Sequence, residues 1–253
     1  MNLFKLTSIS ILNRKTFYAV LLLSVTLPLS LPYLTPWDGA PSIVQPAWAT
    51  AAWGFAWFSA IAWLLFQGAS IGDRWSSQGV LQYVKTLGTG RFSQLFQLWS
   101  SCMLFYGAVV AMAVTVCLAF AMPGDDYEAK LWIQTNFQYL ALILLAMGPL
   151  VLLAIALGTR IHATAAYILT AGIAVYGLVG VTYFDFFLSQ TGHPMFDLIY
   201  VLSPHYHLAD LTDRLTFKLG ALDATTFKHS CLYLAGLGTV ISSTACLLYT
   251  DRK

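Results

Sequence analysis

"FQYLALILLAMGPLVLLAIALG", residues 137–158, decides the fold. Its 22 residues carry no charged side chain. In an α-helix, about 20 apolar residues cross the hydrocarbon core of a membrane. The run is too long for a barrel strand and lacks period-two alternation, so a membrane-crossing helix is the structure that satisfies its backbone in lipid. Five more runs of this kind cover about 17–34, 47–67, 97–122, 163–187 and 228–249. The expected fold is an all-α polytopic membrane protein with six transmembrane helices, forming one transmembrane domain over 1–253.

Composition agrees. The chain is 58% hydrophobic and 9% charged, against roughly 45–50% and about 25% for a soluble domain. Its mean hydropathy is +0.70. No stretch is polar enough to form a separate soluble domain, and a net charge of +2 gives no footprint for a nucleic acid. Cys102, Cys117, Cys231 and Cys246 all fall in apolar runs without metal-ligand spacing, which reads as core packing. Lys5, Arg14 and Lys15 before "FYAVLLLSVTLPLSLPYL" resemble a signal peptide. The Ala47-Trp48-Ala49 triplet that could be cleaved lies over a dozen residues beyond that apolar run, however, and another apolar run follows at once. An uncleaved first span is expected.

Orientation follows from Lys and Arg. With six spans, one side receives Lys5, Arg14, Lys15, Arg74, Lys85, Arg91, Arg160, Arg252 and Lys253. The other receives Lys130, Arg214, Lys218 and Lys228. The positive-inside rule then places both termini in the cytoplasm.

Between spans two and three lies "GDRWSSQGVLQYVKTLGTGRF", residues 72–92. Val80, Val84 and Leu87 recur at i, i+4 and i+7, flanked by Leu81 and Tyr83, while Ser77, Gln78, Gln82, Lys85 and Thr86 are polar. This pattern predicts an amphipathic helix of about three turns over 77–87, ended by Gly88 and Gly90. Phe92, Leu95, Phe96 and Trp99 then lead into span three. Taken alone, the segment reads as a helix resting on the membrane surface.

Six spans, cytoplasmic termini and this insert resemble the permeases of the ABC transporter type-2 exporter family. Residues that carry the likeness are the acidic-basic pair Asp73-Arg74, the short helix "GVLQYVKTL" from Gly79 to Leu87, and "GTGR" ending at Arg91. Asp stands where the family usually has Glu, Val80 where it has Thr, and the common Pro of the turn is absent. The resemblance implies that the insert is a cytoplasmic coupling helix docking on a separate ATP-hydrolysing subunit, with Asp73, Arg74, Gly79, Leu81, Tyr83, Leu87 and Arg91 at the contact. It also implies a second permease copy or paralogue, a bacterial cytoplasmic membrane as location, and ATP and Mg bound by the partner ATPase rather than by this chain. An expected consequence is that Leu81→Asp with Leu87→Asp abolishes partner binding while leaving membrane insertion intact.

Other chemistry finds little support. "TLGTGRF" lacks the Lys-Ser/Thr of a phosphate-binding loop, and no serine-protease pair sits at membrane depth. His205 and His207 in "SPHYHLAD", with Asp210, fall short of the three or four ligands a metal centre needs. His162, His193 and His229 lie in other segments. No charged residue sits near the middle of a span, with Asp185 expected at headgroup level, which argues against an ion-driven carrier. Leu208, Leu211 and Leu215 share a helical face in the outer loop, with Asp210, Asp213 and Arg214 toward water and Pro204 starting or breaking that helix. Two short helices embedded at the outer leaflet would satisfy the pattern. In span five Ala166, Thr170 and Ala174 recur at four-residue spacing, a packing stripe expected to face the chain's own bundle. The expected function is thus a non-enzymatic transport subunit. The alternative is a membrane scaffold or assembly factor that holds a cytoplasmic partner.

Overall fold

In the computed structural model, residues 2–34, 41–184, 186 and 194–250 are described. Asp185, His193, Arg252 and Lys253 lie outside them. Helices occur in the order α1 (Leu3–Leu12), α2 (Lys15–Leu34), α3 (Pro41–Ser59), a π turn (Ala60–Leu64), α4 (Leu65–Ser77), α5 (Val80–Thr86), α6 (Arg91–Ala119), α7 (Asp126–Gly158) and α8 (Ala163–Val175). A second π turn (Tyr176–Gly180) follows α8. Then come α9 (Pro194–Leu202), a 3₁₀ turn (Tyr206–Ala209), α10 (Thr212–Thr216) and α11 (Ala224–Leu248). There is no strand among the described residues.

Among the described residues, five helices are long and apolar enough to cross a membrane: Val44–Ser77, Arg91–Ala119, Asp126–Gly158, Ala163–Phe184 and Ala224–Leu248. This is the layout of a multi-pass helical membrane protein. The first expected span corresponds to α2, whose stretch Lys15–Leu31 is a shorter apolar helix, like α1.

Helix ends follow local chemistry. Asp125 starts α7 by accepting hydrogen bonds from the amides of Tyr127 and Glu128, each at 3.0 Å. Asp223 starts α11 by accepting from Thr226 N at 3.0 Å. Both carboxylates satisfy amides that a helix start leaves without partners.

The bundle is built around α7, which packs against α4, α6, α8 and α11. Its crossing with α4 is a backbone contact. A Cβ on Gly72 would lie 2.2 Å from the Ile155 carbonyl oxygen, and one on Gly158 would lie 2.3 Å from that of Ala69. Two glycines thus set the α4–α7 spacing. The small-residue stripe of α8 faces the same pair: Ala166, Thr170 and Ala174 are buried while Ile168 and Leu169 are exposed, and α8 packs on α4 and α7.

Two boundaries differ from expectation. The helix of span two runs on to Ser77, so Asp73 and Arg74 sit on its last turns rather than in a loop. The insert helix is correspondingly short, seven residues from Val80 to Thr86. Gly79, at φ +70°, breaks the two apart, and Gly88, at φ +87°, ends the second. Both adopt the left-handed conformation that glycine takes without a Cβ penalty. Gly90 has φ −65° and uses no such freedom.

Candidate functional site

At one end of the bundle, α5 lies against the ends of α4 and α6. Leu81 and Val84 are its buried residues, with Leu81 0% exposed, whereas Tyr83 is 57% and Leu87 50% exposed. The expected Val80–Val84–Leu87 stripe is therefore rotated, because the helix stops at Thr86 and leaves Leu87 at its C-terminal cap. Leu81 belongs to the chain's own core, and Leu81→Asp would place a charge there. The variant pair expected to spare the fold has to be Tyr83 and Leu87 instead.

Buried polar groups that sequence reasoning missed tie this end together, with Gln94 holding α5. Gln94, 0% exposed, donates from Nε2 to the carbonyls of Leu81 at 3.2 Å and Thr89 at 3.0 Å. Its Oε1 accepts from the Tyr249 hydroxyl at 3.1 Å, across 155 positions of sequence. Thr159 accepts at its carbonyl from Ser76 Oγ at 3.3 Å and at Oγ1 from Thr250 N at 3.1 Å. The visible signal was Gln94 flanked by apolar residues inside "FSQLFQLW", a stretch that also carries Gln97.

The Asp73 carboxylate accepts from the amide of Ala163, the first residue of α8, at 2.9 Å, and lies 4.0 Å from Nε2 of His162. A carboxylate suits the positive end of a helix dipole, so Asp73 ties α4 to α8. Arg74 is exposed and near Arg14, whose side chain donates to Gln67 Oε1 at 2.8 Å. Burial, and then the proximity of Arg74, lower the pKa of Arg14. Arg91 opens α6 and is exposed. Arg160 donates to the carbonyls of Leu248 and Leu247 at the end of α11, closing this end of the bundle.

At the opposite end, residues 203–222 form a strap folded into the bundle. Pro204 falls in the break between α9 and the 3₁₀ turn. The strap is pinned there by Tyr176, whose hydroxyl is 2.7 Å from Ser203 Oγ, and by Tyr233, whose hydroxyl donates to Ser203 O at 3.2 Å. Gly177 makes room for it, since a Cβ would lie 2.5 Å from the Pro204 carbonyl. His205 donates its amide to Tyr233 at 3.1 Å, and its Nε2 is 3.0 Å from Tyr200 O.

Leu211 and Leu215 are buried within the chain itself, and Leu208 sits in the 3₁₀ turn, on a different element from Leu215. Asp210 does not simply face water: it accepts from the Tyr139 hydroxyl, with Thr212 2.8 Å from that same hydroxyl. Tyr139 in turn accepts from Trp57 Nε1 at 2.9 Å and stacks on Trp53 with centroids 4.0 Å apart. His205 and His207 approach with ring centroids 5.3 Å apart. Among the described residues, however, no three His, Cys, Asp or Glu side chains converge as a metal site would require.

No protein-family model matches the chain, and no curated protein matches it.

Proposed function

We propose that this chain is the membrane-spanning permease subunit of an ATP-driven exporter of the ABC type-2 kind. In this reading α5 docks on a separate ATPase subunit that binds the ATP and Mg, and a second permease copy or paralogue completes the pathway. The observation that carries it is the pose of α5. A helix resting on lipid turns its apolar residues to the membrane. Here Leu81 and Val84 are spent on the bundle, and Tyr83, two residues from Leu81 and so about 200° around the helix, points the other way. An exposed aromatic and an exposed leucine on a clamped two-turn helix form a small rigid knob, suited to push on, and be pushed by, a protein partner.

Six spans with both termini cytoplasmic fit this reading. Arg14, just before α2, reaches Gln67 on α4, while Gln45 near the start of α3 donates to the Met122 carbonyl after α6. α2, of 20 residues, packs along α3 and α6, as a first span would. The Lys and Arg excess lies on the α5 side, and a bacterial cytoplasmic membrane is the expected location. Closure of the ATPase pair would displace α5, and α4 and α6 would carry the displacement into the bundle.

The test is an affinity pull-down of the tagged protein from native membranes with an assay of Mg-dependent ATP hydrolysis. A stoichiometric nucleotide-binding partner, lost with Tyr83→Asp and Leu87→Asp while the variant still inserts and folds, supports the proposal. A co-purifying partner without ATPase activity favours the scaffold alternative. ATPase association unchanged in the double variant overturns the role given to α5.

A further inference from the structure

The face formed by α6, α7 and α11 holds a groove of about 1050 Å³. It exists because α6 and α11 both clasp α7 at one turn. Trp99 of α6 donates from Nε1 to the Gly148 carbonyl at 2.8 Å. Gly238 of α11 lies so close to α7 that a Cβ would come 2.8 Å from Pro149 Cγ. On either side of that floor the lining includes Phe96 of α6 and Ser242 and Leu247 of α11. Along α11 the lining runs from Leu234 to Leu247, about 20 Å at 1.5 Å per residue. One leaflet contributes about 15 Å of hydrocarbon.

The lining is chemically a hydrocarbon surface. No charged side chain contributes to it. The hydroxyls of Thr239 and Ser243 donate back to the carbonyls of Ala235 and Thr239, both at 2.8 Å, so they offer little to a polar ligand. Two arginines stand next to the lining at the end nearest α5. There Arg91 precedes the lining residue Phe92, and Arg160 donates to the carbonyl of the lining residue Leu247.

We propose that this groove seats an anionic phospholipid of the leaflet on the α5 side. An acyl chain lies along α7 between α6 and α11, and the phosphate sits at the mouth bordered by Arg91 and Arg160. A length close to that of a single leaflet, an apolar wall in which the Thr239 and Ser243 hydroxyls are already bonded, and two arginines at one end complement such a molecule. The inference does not depend on the transport reading and holds equally for a scaffold.

Trp99 on the groove floor provides the probe. The full-length protein in mild detergent is titrated with phosphatidylglycerol carrying brominated acyl chains, then with phosphatidylcholine carrying the same chains. The Trp99 signal is the difference between wild type and Trp99→Phe. The expected result is saturable quenching, with the half-point for phosphatidylglycerol about tenfold or more below that for phosphatidylcholine, as two nearby arginines would give. Arg160→Gln should narrow that ratio, and Ser242→Phe should remove the saturable phase.

If Ser242→Phe does not fold, the native Cys246, which lines the groove, replaces it. Phosphatidylglycerol should then slow alkylation of Cys246 in the Cys231→Ser protein. Quenching that is non-saturating and equal for the two lipids overturns the proposal. So does efficient Cys246–Cys246 disulfide formation in native membranes, which would place a second copy of the chain in the groove.

Discussion

Replacing Gln94 by Leu keeps the side chain close in size and removes every hydrogen bond it makes. Two donated bonds, to Leu81 O and Thr89 O, and one accepted bond, from Tyr249, disappear together. A net hydrogen bond contributes about 1 kcal/mol, and a buried group left unsatisfied costs about 1–3 kcal/mol. The added apolar contact of Leu offsets part of this, so the expected loss is about 3 kcal/mol. Tyr249→Phe removes the hydroxyl alone and should cost about 1 kcal/mol. In a double-mutant cycle the two changes should overlap by about 1 kcal/mol, since they share one bond. The assay is denaturant unfolding of the purified protein in mixed micelles, read by tryptophan fluorescence. If Gln94→Leu lies within about 0.5 kcal/mol of wild type, or the cycle shows strict additivity, then Gln94 does not clamp α5 to the end of α11. The lever role given to α5 would lose its mechanical basis with it.

Further expectations concern the helix crossing, the strap and a helix cap. Gly158→Ala drives a methyl against the Ala69 carbonyl, 2.3 Å away, and should destabilise by at least the 1–3 kcal/mol typical of an overpacked core, visible as a lowered midpoint in the same unfolding assay. Tyr139→Phe removes the hydroxyl shared by Trp57, Asp210 and Thr212. It should cost about 1–3 kcal/mol and speed proteolysis within 203–222, whereas an unchanged cleavage rate would show that the strap is held without it. The Asp223 carboxyl is held below its ordinary value of 3.8, first by its side-chain hydrogen bond with Thr226. A depressed folded value means that the cap's contribution is present above that ordinary value and lost as pH falls through the lower, folded one. Amide exchange at the start of α11 should therefore accelerate only on strong acidification, and in Asp223→Ala it should be fast at neutral pH as well.

What was legible in the sequence was whatever lipid dictates directly. Long apolar runs have to become helices in a membrane, and the stripe Ala166–Thr170–Ala174 repeats on one face of a single helix, so both could be read locally. The rotation of α5 could not. It depends on Gly79 taking φ +70°, which ends α4 at Ser77 and starts the next helix with Leu81 inward. Read as one helix over 77–87, the same residues give a stripe ending at Leu87 instead. The partners of Gln94 and Tyr139 were equally invisible, since Tyr249 and Asp210 lie 155 and 71 positions away. A single polar residue in an apolar run announces only that it needs a partner.

The two ends of the molecule share one structural member, and its irregularity explains how. From Val44 to Ser77 the chain is a single helical rod of 34 residues, about 50 Å long at 1.5 Å per residue. Trp53 and Trp57 near one end engage Tyr139 and, through it, the strap at Asp210. Gly72, Asp73 and Ser76 near the other engage α7, α8 and Thr159. A regular helix of this length drifts relative to the four-residue steps by which the buried positions Ala60, Leu64, Gly68, Gly72 and Ser76 succeed one another. The π turn at Ala60–Leu64 holds one extra residue in a turn and lies between the two sets of contacts. It separates a first half that packs on α2, α6 and α10, meeting α7 through Trp53 and Trp57, from a second half that packs on α7 and α8. A rod fixed by aromatic stacking at one end and by backbone contact at the other moves as a unit or bends at that turn. A bend at that turn would absorb a displacement of α5, whereas motion of the rod as a unit would carry it from the end of α4 to the stacked tryptophans beneath the strap.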